Sequence, residues 1–266
     1  VKTKTLSHVV VDRTDHADTS VFVAENLLRE ARRQRGLAPG EVPSICVLDP
    51  DGDIVRYLNR SGRGKRSAIW ACYHTDMWTT TIDGIPLGVV GCAVGAPFAV
   101  LVAEQCFASG ARLVVSVTSA GQIALEIEPP CFILIDRALR GDGTSHCYVP
   151  VAPDVSADPV LIERAERALA TSDLPLRTGT TWTTDAPFRE TEQSIAIARE
   201  AGALAVEMEA SALYALSQAK GLPIVCLAHV TNQMAQIDGD FEKGLDDGAH
   251  DALHLVVTIA LDFLSA

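Results

Sequence analysis

The strongest constraint on the fold is one short stretch in which a helix with readable ends runs into a buried strand. Residues 97–109 read as a helix: Pro97 suits a first turn and Gly110 a C-terminal cap. Residues 113–117, Leu-Val-Val-Ser-Val, follow as a β-branched strand after a three-residue connection. A strand joined to the next through a helix pairs in parallel, and parallel sheets are covered on both faces. The rest of the chain must therefore supply more strands and helices in alternation. Short apolar runs at 44–48, 131–135, 176–180, 204–206 and 223–228 read as strands, between helical patterns at 158–170, 190–201, 208–220 and 245–264. Residues 68–73 and 78–82 also read as strands, and Asp83-Gly84 as a hairpin turn into 85–92. The expectation is one α/β domain with a central mixed, largely parallel sheet flanked by helices. Residues 24–35 read as an amphipathic basic helix stopped by Gly36, so 1–40 are expected to be an accessory segment ahead of a catalytic domain over 41–266.

Composition narrows the function. The 48% hydrophobic content with only 5% aromatics suits buried parallel strands, and the net charge of −12 excludes a sequence-independent nucleic-acid surface. Seven scattered cysteines form no C-x-x-C pair, which points to buried reduced thiols, with no disulfide framework or zinc site. No ligand-spaced cluster implies a metal, and no cofactor is expected. Without a leader pattern or membrane-length apolar run, a cytoplasmic protein is expected.

Ligands of open α/β sheets bind beyond the carboxyl ends of the strands. Four polar segments stand there. Thr118-Ser119-Ala120-Gly121 follows one strand as a hydroxyl-rich turn, and Arg140-Gly141-Asp142-Gly143-Thr144-Ser145-His146 is a loop after another. Glu207-Met208-Glu209-Ala210 places two carboxylates where a strand gives way to a helix, and His229-Val230-Thr231-Asn232 steps directly off an apolar strand. The two glutamates share a face if the strand continues and diverge if the helix has begun. Acids at a helix N-terminus can also be simple caps, a reading that applies equally to Asp49-Pro50-Asp51-Gly52-Asp53 before the helical turn at 54–58. Residues 59–66, with Arg60, Arg63, Lys65 and Arg66, are the one dense basic cluster.

In this order, Gly95-Ala96-Pro97, Thr118 to Gly121, Arg140 to Ser145 with Tyr148 and Pro150, Thr184-Asp185-Ala186-Pro187-Phe188 and Val206-Glu207-Met208-Glu209 resemble the motifs of the nucleoside phosphorylase and nucleosidase superfamily over about residues 44–265. Its members include uridine phosphorylases, hexameric purine nucleoside phosphorylases and methylthioadenosine nucleosidases. The resemblance implies cleavage of a base from a ribose. Glu209 would accept the ribose hydroxyls, Met208 would pack beneath the sugar and Glu207 would lie beside it. Thr118, Ser119 and Gly121 would form the phosphate and ribose loop, Trp182 and Phe188 would stack on the base, Asp185 would lie in the base segment, and Asn232 would face the base. Asn cannot supply a proton but offers a donor and an acceptor, which favours an oxo-bearing base, a 6-oxopurine or a pyrimidine.

The family's phosphate grip is absent. Where phosphorylases resemble V-x-G-D-P-x-R this chain has Val47-Leu48-Asp49-Pro50-Asp51-Gly52-Asp53, and Ser116 stands where a second arginine is expected. Three carboxylates without arginine disfavour a phosphate dianion, so water becomes the expected nucleophile, with Asp51 or Asp53 as its base. The alternative keeps phosphorolysis and draws charge from Arg63, Lys65 or Arg66 of a neighbouring subunit, and a further one is a catalytically silent nucleoside-binding protein. The resemblance also implies a homodimer or a trimer of dimers, and raises the prospect that His8 or His16 reaches a neighbour's ribose site. The first forty residues are alternatively a partner interface unrelated to the site.

Overall fold

The computed structural model describes residues 15–234 and 239–265. Helix α1 (Ala24–Arg35) is followed by β1 (Ile45–Asp49), α2 (Asp53–Arg60), β2 (Lys65–Arg66), β3 (Trp78–Ile82), β4 (Ile85–Gly91), α3 (Ala96–Ala108) and β5 (Leu113–Gln122). Then come β6 (Cys131–Gly141), β7 (Asp154–Ser156), α4 (Pro159–Leu169), β8 (Leu176–Thr184), α5 (Glu192–Glu200), β9 (Ala203–Glu207), α6 (Ala210–Lys220), β10 (Ile224–Asn232) and α7 (Ala249–Leu264).

The ten strands of the described residues form one mixed sheet in the order β10-β6-β8-β9-β5-β1-β4-β3-β2, with β7 beside β6. The pairs β1–β4, β1–β5, β5–β10, β6–β8 and β8–β9 are parallel. Strand β5 also pairs with β10, and with β9 through Gly121 and Gln122, so β5, β10, β6, β8 and β9 close into a ring while β1 to β4 extend from it as an arm. Every residue of β1 and β10 is buried, as parallel central strands require. Helices α3 and α6 pack together with α1 on α3, and α4 packs with α7, which also holds α2. Helix α6 is buried along most of its length. It begins with alanines and serines, and Tyr214 ties it to the sheet by donating to the Ile135 carbonyl at 2.5 Å and accepting from the Cys226 amide at 3.0 Å. Among the described residues no helix is long and apolar enough to cross a membrane.

Two expectations of local structure are corrected. Residues 68–73 are not a strand. Trp70, Ala71 and Cys72 are buried, but the carbonyls of Ala71 and Cys72 accept from the Arg35 guanidinium of α1 instead of from a neighbouring strand. Leu28 and Ala31 of α1 pack on Ala71, so this helix is docked on the body of the fold. The second correction concerns 118–121, which are not a turn but the continuation of β5. Strands β5, β6, β8 and β10 all run four to six residues past their apolar runs into polar sequence. All seven cysteines are free; five are buried as expected, but Cys92 and Cys147 are exposed.

Candidate active site

The polar extensions of β5, β8, β9 and β10 end at one place, around the bend between β9 and α6. Glu207 is the last residue of β9 and Glu209 the N-cap of α6, so the two side chains part. Glu207 turns back on its own helix. One of its oxygens accepts the amides of Glu209 and Ala210, both at 2.7 Å, and the other accepts the hydroxyls of Thr181 and Thr183 from β8. Each lone pair is thereby taken, which makes this glutamate the cap that a helix N-terminus favours. Thr183 receives the amide of Ser211 at 2.9 Å, and the Ser211 hydroxyl donates to Asp142, which also holds the amide of Ser145 at 2.6 Å. A buried polar network thus fixes the start of α6 against β8 and the loop after β6.

Glu209 points the other way, and only 1% of its surface is exposed. It accepts from the Gly95 amide at the N-terminus of α3 and from the Thr118 hydroxyl on β5, each at 2.7 Å. The helix end and the hydroxyl favour its ionised form. Burial, followed by repulsion from Glu207, outweighs them and pushes its pKa up to about 8. Asp51 is close enough to add to that repulsion.

The acidic turn after β1 divides into three roles. Asp49 is buried and caps α2 by accepting the Val55 amide at 2.9 Å; burial lifts its pKa to about 7. Asp53 is held in two ion pairs, with Arg56 and with Lys243 at 2.6 Å. Asp51 is half-buried. Its Oδ2 accepts the Ser119 amide at 2.7 Å, while Oδ1 takes no hydrogen bond from any described residue. These three, with Ser119, His229 and Asp247, wall a cavity of about 20 Å³. Among the described residues no arginine lines it, and Ser116 lies in the core with its hydroxyl buried and unpaired.

The base side is more open. Asn232 is buried at the end of β10, where its Oδ1 accepts the Met234 amide at 2.8 Å and its Nδ2 donates to Thr231 at 3.1 Å. Gly121 lies against Asn232, Val206 and Met234 with no room to spare for a side chain. Met208 is half-buried at the bend itself. Trp182 packs into a small cluster with Ile123, Ala198, Ala203 and Val206. Asp185 is exposed and accepts the Gly143 amide at 2.8 Å, and Phe188 is 100% exposed.

The structure therefore brings together Glu209, Glu207, Thr118, Ser119 and Asp51, with Gly121 and Asn232 at the neighbouring strand ends. Within this chain it does not bring in Arg63 or Arg66. Arg63 donates to the Tyr57 hydroxyl and lines a separate surface groove with Lys65 and Thr79 to Thr81, and Arg66 pairs with Asp76. His16 bonds the carbonyl of His146 in its own chain at 3.1 Å, and His8 lies outside the described residues. Arg140 spends its donors within its own loop, on Ser145, His146, Val149 and Pro150. Lys243, Asp142, Ser211, Thr181 and Thr183 take part in the contacts of this site without any motif assigning them a role. The threonine-rich run 178–184 was the one available signal for the last two.

Residues 46–261 match the model of the phosphorylase superfamily. The chain is 25% identical over 235 residues to guanosine phosphorylase of Halorubrum lacusprofundi, covering 86% of this chain and 90% of that protein. It is 28% identical over 227 residues to uridine phosphorylase of Thermococcus kodakarensis, covering 73% and 80% respectively. Among solved structures, the 5′-methylthioadenosine/S-adenosylhomocysteine nucleosidase of Neisseria meningitidis, in complex with methylthio-immucillin-A, superposes with a TM-score of 0.65 at 20% identity, over 82% of this chain and 99% of that one.

Proposed function

This chain belongs to the phosphorylase superfamily and is an enzyme that cleaves the glycosidic bond of nucleosides, and we propose that water, not phosphate, receives the sugar. The observation that carries this reading is the cavity beside Ser119. At about 20 Å³ it has room for roughly one water. Its walls carry Asp49, Asp51, Asp53 and Asp247; Asp53 is paired with Lys243 and Arg56 and Asp247 with Arg60, whereas Asp51 has no cation beside it among the described residues. A phosphate dianion would meet Asp51 with no cation among the described wall residues to offset it.

Asp51 is the base of this reaction. Asp53 is held by two cations and Asp49 by the first turn of α2, whereas Asp51 keeps one oxygen free at the cavity. Glu209 accepts hydroxyls of the ribose. As the bond between C1′ and the base nitrogen lengthens, positive charge grows on the sugar ring and its hydroxyls become better donors, so the carboxylate stabilises the transition state more than the substrate. Glu207 positions Glu209 by fixing the start of α6. Water bonds C1′ and gives a proton to Asp51, and the base leaves with the electron pair of the broken bond. Thr118, Ser119 and Met208 frame the sugar, with Gly121, Trp182, Asp185 and Phe188 on the base side. Both donors of Asn232 face protein oxygens, at 3.1 Å and 3.5 Å, which leaves a lone pair on Oδ1 for an N–H of the base. A 6-oxopurine or uracil can meet it with a ring N–H, whereas adenine has N–H only on its exocyclic amino group.

The deciding experiment incubates the enzyme with guanosine, inosine, uridine and adenosine, with and without phosphate. Free ribose from an oxo-bearing nucleoside in phosphate-free buffer is expected. Strict dependence on phosphate would sink hydrolysis and favour an arginine lent by a neighbouring subunit.

A further inference from the structure

His229 interrupts the apolar run of β10, level with Ser119 on β5 and Phe132 on β6. Its ring stacks on Phe132 with centroids 4.4 Å apart and planes 10° from parallel. On another side stands Gly248, where even a Cβ would overlap the imidazole. The ring is thus held in one orientation. Only 6% of the residue is exposed, yet neither nitrogen makes a hydrogen bond to any described residue. An imidazole always carries at least one N–H, and such groups are normally paired with protein or with water. What it does face is the cavity it shares with Asp51 and Ser119. Burial, and after it the ammonium of Lys243, pushes its pKa down to about 4, against the opposing pull of Asp53 and Asp251, so the ring is neutral near pH 7. A neutral imidazole offers one donor and one acceptor, the complement of a water molecule.

We propose that His229 is a second holder of the attacking water, which it orients by a hydrogen bond while Asp51 takes the proton; this rests on the hydrolytic reading above. In the step, the oxygen bonds C1′, one proton passes from water to the Asp51 carboxylate, and the C1′–N bond breaks with its electron pair going to the base. His229 gains and loses no proton overall. Its contribution is orientation of the water in the cavity it shares with Asp51 and Ser119.

The test uses the full chain in phosphate-free buffer with the best nucleoside substrate, comparing wild type with His229→Phe, His229→Gln and His229→Ala. With wild type hydrolysing, His229→Phe is expected to lower kcat by on the order of tenfold to a hundredfold at nearly unchanged KM, the size of effect that misorienting a reactant produces. His229→Gln, which restores a donor and an acceptor, is expected to recover part of the loss. His229→Ala enlarges the cavity, so with methanol added it should yield a larger share of methyl riboside than wild type does. Folded variants are identified by melting temperature, and the alanine and glutamine variants serve if phenylalanine does not fold. Unchanged kcat in a folded variant, a loss confined to KM, or no change in methanol partitioning would overturn the role of His229 while leaving hydrolysis standing. Wild type that releases no ribose without phosphate would overturn hydrolysis itself.

Discussion

Replacing Glu209 by Gln tests the site through two independent readouts. Glutamine keeps the shape: its carbonyl can still accept from Gly95, and its amide can face the Thr118 hydroxyl, which also accepts. Above pH 8, where Glu209 is ionised, what is lost is a buried negative charge opposite a sugar that becomes positive. Removing one group that stabilises transition-state charge in a water-excluded site costs about 10²- to 10³-fold, or about 3–4 kcal/mol, so kcat/KM should fall by that factor. The second readout is stability. Glu209 has a pKa of about 8 in the folded chain against 4.5 for an ordinary glutamate, so between those values the folded state binds more protons than the unfolded state. Stability must then decrease as pH rises through that window, with a slope of at most about 1.4 kcal/mol per pH unit for one proton. Its contribution is fully present below pH 4.5 and gone above 8. Asp49, raised from 3.8 to about 7, adds a loss of the same sign over a lower range. Urea unfolding at pH 5, 6.5, 7.5 and 8.5 should show wild type weakening as pH rises and Glu209→Gln weakening less, above all near pH 8, where Asp49 is already mostly ionised. Equal slopes in the two proteins would refute the account of the buried charge, and an unchanged kcat/KM would remove Glu209 from the chemistry.

Asp51→Asn should retain nucleoside KM but lose about 10²-fold or more in kcat, the usual contribution of a general base, measured as ribose release; Asp53→Asn should leave that rate within a few-fold, because its charge is already spent on Arg56 and Lys243. Tyr214→Phe strands the Ile135 carbonyl and the Cys226 amide in the core, and thermal unfolding should register a loss of about 1–3 kcal/mol. Gly141→Ala drives a Cβ into the Thr183 carbonyl and the Trp182 indole nitrogen across the β6–β8 pairing, so a loss of about 1–3 kcal/mol is expected from denaturant titration.

What the sequence revealed follows from which physical signal each part carries. Helix α1 was legible to the residue because its pattern ends at Gly36, which takes a left-handed conformation with φ 64°. The strands were legible only as far as they are apolar. The apolar run of β5 ends at Val117 but the strand continues to Gln122, and that of β10 ends at Ala228 but the strand continues to Asn232. Thr118, Thr183, His229, Thr231 and Asn232 are buried as deeply as valines, but a hydropathy pattern treats them as loop. The extensions are stable because their polar side chains meet one another across the sheet, as Ser119 meets Thr231 at 2.9 Å and Thr183 meets Glu207. Such burial costs free energy unless each group finds a partner, and the partners come from strands distant in sequence. The ring closure of β5 on β9 and β10 brings them together, and no local pattern encodes it. The same logic separates the two glutamates of one short motif. Glu207 and Glu209 are indistinguishable by type and spacing, yet β8 supplies threonines to one and α3 and β5 leave the other with two donors and a charge it does not fully neutralise. Four partners make Glu207 a strut; two make Glu209 a carboxylate still able to accept from a ligand, so the difference between structural and chemical roles is set by what the closed ring places opposite each one.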